Sequence, residues 1–118
     1  MEDYIKRQID MIGQMLLMLA RKLGVGDGNV ADVPVDAVQD EISREGFDID
    51  VDRILSEEHP VAYMVGELQL SNEALETFTQ IVMSSDAPDE QKDRLLGDVV
   101  DYLDNSGYFS FLLHSYLN

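Results

Sequence analysis

DYIKRQIDMIGQMLLMLARKL, running from Asp3 to Leu23, is the stretch on which the fold turns. Within it Ile5, Ile9, Ile12, Leu16, Leu19 and Leu23 recur at spacings of 4, 3, 4, 3 and 4, the period of one face of an α-helix. At ~100° per residue these six side chains fall within an arc of about 80°. A second stripe, Tyr4, Met11, Met15 and Met18, runs beside the first. With Ala20 the two stripes span about 200° of the helix, against the ~100° that a surface helix needs. Only Lys6, Arg7, Asp10, Gln14 and Arg21 keep a narrow strip polar, and Leu17 intrudes on it. Such a helix has to be covered on two sides. Asp3 is placed to cap its start and Gly24 to end it. The expected interface residues are therefore Ile5, Ile9, Met11, Ile12, Met15, Leu16, Met18, Leu19 and Leu23. One stripe packs into the chain's own domain, and the other meets a second copy, as a homodimer, or another protein.

Outside this helix the chain is strongly acidic. Residues 1–23 hold Lys6, Arg7, Arg21 and Lys22 against Glu2, Asp3 and Asp10, a net of +1. The remaining residues hold Arg44, Arg53, Lys92 and Arg94 against 21 acids, a net of −17. A surface of this sign repels phosphate backbones and anionic lipid headgroups, so nucleic acid and membrane are disfavoured as partners. A cationic partner is the positive reading; the alternative is that the charge serves solubility alone. The chain has no cysteine, so disulfides and thiolate chemistry are excluded, and a cytoplasmic location fits. The apolar stretch from Met11 to Ala20 is broken by Gly13 and Gln14 and is about half the ~20 residues of a spanning helix. No signal-peptide pattern is read there.

The 118 residues suit a single helical domain with three parts. Residues 1–23 form the long helix, 24–33 a flexible linker rich in glycine and aspartate, and 34–118 an acidic body of helical hairpins. In the body Pro34 opens a short helix carrying Val35, Val38 and Ile42, which Gly46 ends. Asp50 caps another through Ile54 and Leu55, and His59-Pro60 forces a break. The pattern then predicts a hairpin of 60–69 with 72–84, followed by a helix from Pro88 to Asn105. A final aromatic helix, Tyr108 to Leu117, must dock on something. The class is all-α, an N-terminal amphipathic helix plus short helices and two antiparallel helical hairpins.

Across the hairpins Val61 and Leu95, Ala62 and Leu96, Val65 and Val99, Leu75 and Phe109, and Phe78 and Leu112 stand 34 residues apart. With Ala74-x-x-x-Phe78 and Pro88, this resembles part of the tetratricopeptide signature, although no Leu-Gly pair stands in the first helix of the hairpin and Pro88 lies two positions late. The resemblance covers the last 58 residues and implies a scaffold that binds protein segments. The opening Asp3-Tyr4-Ile5-x-Arg7-Gln8-Ile9 also looks like that of an uncharacterised bacterial all-helical family, which brings no activity with it.

Motifs of chemistry are incomplete. Asp48-x-Asp50-x-Asp52 opens like a calcium loop, but Arg53 and His59 hold the positions that need glycine and a bidentate glutamate. The expectation is that Ile49 and Val51 pack inward while the aspartates face water. Gly24-x-Gly26-x-Gly28 follows a helix rather than a strand and reads as a linker. His59 and His114 lack zinc-site spacing. Ser110 and His114 lie one helical turn apart without an orienting acid on that turn. Asp98, Asp101 and Asp104, like Glu57-Glu58, read as solvated charge. No catalytic, metal or cofactor-binding residue is assigned, and no cofactor is expected. The leading expectation is a non-enzymatic interaction or structural module that associates through its first helix. A membrane-surface or complex-tethering helix is the second reading, and a small-ligand binder or carboxylate-based enzyme the third.

Overall fold

Short helices in this chain are held by side chains reaching across the molecule, and that is what places the surfaces described below. A computed structural model describes the backbone of residues 2–24 and 33–117 and the side chains from residue 11 onward within those ranges. Among these residues seven α-helices are present: α1 Glu2–Lys22, α2 Val35–Arg44, α3 Val51–Ser56, α4 Pro60–Gly66, α5 Asn72–Met83, α6 Asp89–Asn105 and α7 Phe111–Ser115. The all-α class read from the sequence holds.

Helix ends follow local chemistry. Asp50 caps α3 by accepting from the Arg53 N–H at 3.2 Å, and Ser71 caps α5 by accepting from Ala74 N–H at 3.2 Å. At the end of α2 Gly46 takes φ +86°, and Phe47 N–H reaches back to the Ile42 carbonyl at 3.3 Å. This is the left-handed helix stop that glycine adopts without a Cβ penalty. Pro34 and Pro88 stand immediately before α2 and α6.

Helices of five to ten residues are marginal alone, because nucleation costs more than a few bonds return. Here distant groups satisfy their orphaned ends. Asp98 of α6 accepts from the Val61 N–H at 2.9 Å and caps α4. Asp86 accepts from the Val35 N–H at 2.9 Å and caps α2. The Arg94 guanidinium donates to the Leu55 carbonyl at 3.0 Å near the end of α3. Gln39 holds the 47–51 segment from both sides, donating to Ile49 O at 2.8 Å and accepting from Val51 N–H at 2.7 Å. As expected, Ile49 and Val51 are buried and Asp48, Asp50 and Asp52 exposed.

Residues 25–32 of the glycine-rich connection lie outside the described residues. Its last residue, Val33, is buried and pairs with the chain after α5: Val33 N–H donates to Ser84 O at 3.0 Å, and Asp86 N–H to Val33 O at 2.8 Å.

α5 lies against α1 and α6; α4 packs mainly on α6 and α3; α2 bridges α1 and α3; α7 rests on α5 and α6. One cluster of buried side chains runs through all seven, with Leu16, Ile42, Ile54, Met64, Phe78, Leu95 and Leu113 fully enclosed. Burying each contributes about 1.5–3 kcal/mol. The 34-residue echo extends to burial only in part: Val61 and Leu95 are both buried, whereas Leu75 and Phe78 are enclosed and their counterparts Phe109 and Leu112 exposed. No helix among the described residues is long and apolar enough to cross a membrane.

Candidate interaction site

The side chains of α1 divide sharply. Met15, Leu16, Leu19 and Ala20 are buried in the chain's own core, and Ile12 and Leu23 pack against it half-buried. Met11, Leu17 and Met18 face outward with 55%, 49% and 66% of their surface exposed. The division follows from helix geometry. Leu16 and Leu19 fix the inward direction, and Met11 and Met18, seven residues apart, line up two turns from each other on the outer side. Met15 leans to the inner edge. The methionine stripe is thus split, one member inside and two outside. The side chains of Ile5 and Ile9, also expected at the interface, lie outside the described residues.

An ion pair pins the end of α1 to α2. Lys22 Nζ lies 2.8 Å from Glu41 Oε2, and Arg44 lies 2.9 Å from Glu41 Oε1. The Lys22 hydrogen bond comes first in holding the Glu41 carboxyl below its ordinary value of 4.5; burial opposes it, and the positive charges of Lys22 and Arg44 add to the lowering. Beside the pair, a recess of about 220 Å³ lies between Met15, Met18, Leu19, Lys22, Glu41 and Glu45.

A second exposed face was not legible in the sequence. The final helix, expected over Tyr108 to Leu117, spans only Phe111–Ser115. Beyond the end of α6 at Asn105, Gly107 takes φ +79° and Tyr108 N–H bonds back to Leu103 O at 2.9 Å, which turns the chain away from the helix axis. Ser110 is then buried and caps α7, accepting from the Leu113 N–H at 3.1 Å and donating to the Glu76 carboxylate of α5. Tyr108 donates to the other oxygen of Glu76 at 3.3 Å. Burial first, and then the charges of Glu76 and Glu73, push the Tyr108 phenol above its ordinary 10.0. Anchored by Leu113, Ser110 and Tyr108, the segment turns its remaining apolar groups outward: Phe109, Phe111 (83% exposed), Leu112, Tyr116 and Leu117.

These outward rings are ordered by one another. Phe109 meets Phe111 edge to face at 4.8 Å and stacks on His114 at 4.4 Å, and His114 Nε2 lies 3.1 Å from Asp104 Oδ1. Glu73 and Asp104 are exposed on the supporting helices, and no Lys or Arg occurs from residue 95 to 118. The face is aromatic and its surroundings acidic. Ser110 and His114 do not bond to each other through their side chains; each is held by a different carboxylate.

All eight large hydrophobic side chains exposed among the described residues fall within 11–18 or 109–117. A groove of about 430 Å³ lies between α1 and α5, with Leu17 on one bank and Glu73 and Glu76 on the other. No cluster of three or more His, Asp or Glu that could hold a metal ion occurs among the described residues. In comparisons with known proteins, no family model, no curated protein and no solved structure matches the chain.

Proposed function

We propose that this protein is a non-enzymatic interaction module, acting in the cytoplasm, whose first helix associates with a protein partner or with a second copy. The supporting observation is the division of α1: its Leu16 and Leu19 side fills the core, while Met11, Leu17 and Met18 lie open along the other. Exposed apolar groups gathered on one element mark contact surfaces more often than the same groups scattered singly. Methionine suits the role because its unbranched, polarizable side chain adapts to irregular partners. The arrangement favours a protein over an anionic membrane, since the acidic body of net −17 is repelled by anionic lipid.

Oxidative footprinting tests this reading. In dilute purified protein, Met11 and Met18 oxidise quickly and Met15 slowly. In an extract of the native source, Met11 and Met18 become protected and Met15 is unchanged. Equal oxidation of Met11 and Met18 in both settings overturns the proposal.

A further inference from the structure

Resting on that reading, we infer that the partner of the α1 face is the acidic aromatic face around α7 on a second copy of this chain, each copy offering both surfaces.

Charge restricts where two copies can meet. Residues 24–118 carry −17, so contact between two bodies brings like charge together. The segment 1–23, at net +1, is the exception. On its outer side Arg21 is exposed one turn beyond Leu17 and Met18, giving an apolar strip with a cationic end. The α7 face is the reverse: Phe109, Phe111, Tyr116 and Leu117 exposed, with Glu73 and Asp104 exposed on the helices beneath, and no Lys or Arg from residue 95 onward. Apolar surface therefore faces apolar surface while opposite charges pair at the margins. A contact of α1 with α1 would cover the methionines and leave the larger aromatic face bare.

Geometry allows the contact to be made twice. Leu17 and Glu76 line one groove, and Glu76 holds Tyr108 and Ser110 at the root of the α7 face. The two faces thus adjoin, and a two-fold dimer lays each copy's α1 strip on the other's aromatic face, closing the assembly.

Sedimentation equilibrium of the full chain, with Met18→Glu, Phe111→Arg and their equimolar mixture, tests the inference. Both positions are exposed, so each variant is expected to keep the wild-type circular dichroism. Wild type is expected to dimerise and each variant alone to bind itself at least about tenfold more weakly, about 1.4 kcal/mol. The mixture is expected to regain dimer, because one contact is native and the other sets the introduced carboxylate against the introduced guanidinium. Weakening by Met18→Glu alone, with no rescue in the mixture, overturns the α7 partner and leaves the reading of α1 standing. Weakening by Phe111→Arg alone overturns the pairing of α1 with α7 and leaves the reading of α1 to the footprinting experiment. A wild type that stays monomeric overturns the dimer, and the footprinting experiment then decides the reading of α1 separately.

Discussion

The Tyr108 hydroxyl donates to Glu76 Oε1 at 3.3 Å, joining the end of the chain to α5 across 32 positions of sequence. The second oxygen of the same carboxylate takes the buried Ser110 hydroxyl. One glutamate thereby holds the root of the aromatic face. Glu76→Ala leaves the Ser110 hydroxyl without its acceptor and is expected to cost about 1–3 kcal/mol by denaturant unfolding. Glu76→Gln keeps an acceptor, so a smaller loss is expected.

The same contact has a spectroscopic signature. Removing the Glu76 charge in Glu76→Gln is expected to bring the Tyr108 phenol back toward 10.0. Ultraviolet titration, with Tyr108→Phe to identify the signal among the five tyrosines, reads this directly. The phenol ionises at higher pH folded than unfolded. Its link to stability is therefore silent below 10, and stability falls as pH rises beyond it.

Neighbouring leucines on α1 should respond in opposite ways. Leu16 is fully enclosed and Leu17 is 49% exposed. Leu16→Ala is expected to lose about 2–5 kcal/mol, and Leu17→Ser to stay within about 0.5 kcal/mol, at dilutions where the chain is monomeric. Equal losses would show that the helix is rotated from the position described.

Two glycines of the α6 region should also part company. A Cβ at Gly97 would meet nothing within 4 Å, and its backbone is helical. Gly97→Ala is expected to stabilise by about 0.5–1 kcal/mol. Gly107 sits at φ +79°, where an added Cβ costs about 1–2 kcal/mol. Gly107→Ala should lower the melting temperature and loosen α7.

Glu41 makes the tie between α1 and α2 dependent on pH. Its carboxyl titrates below 4.5 in the fold because Lys22 and Arg44 hold it charged. Its contribution is complete above 4.5 and is lost as pH falls through the lower folded value. Melting curves of wild type and Glu41→Gln should differ at neutral pH and converge in acid. Curves that stay parallel would remove Glu41 from the coupling.

Helix starts and stops were largely readable, because they depend on neighbours in sequence: Asp50, Ser71-Asn72, Pro88 and Gly46 act within a few residues of where they stand. What the helices pack against was less so. Asp98 belongs to a run of aspartates that looks like a solvated face, yet one of them caps a helix 37 positions away. Gln39 carries no signal of its hold on Ile49 and Val51. That α1 carries apolar groups on more than one side was legible in an arc of about 200°, although of the residues expected at the interface Met15, Leu16 and Leu19 lie in the chain's own core. Which methionines stay outside was not legible, because the inward direction is set by α5. The aromatic segment after Gly107 was expected to be covered. It instead exposes most of its rings, since Leu113 and Ser110 suffice to anchor so short a helix.

Val33, Ser84 and Asp86 form a fastening whose consequence lies in time. It joins the entry of α2 to the chain beyond α5, and the Asp86 cap on Val35 spans 51 positions. Drawing so distant a pair together costs chain entropy before it returns anything, so it should close late, once α2 to α5 have already gathered. Asp86→Ala should then speed unfolding in stopped-flow experiments and leave refolding almost untouched. A slower refolding arm would reverse that order, making this fastening the first event on the route to the native state instead of its final latch.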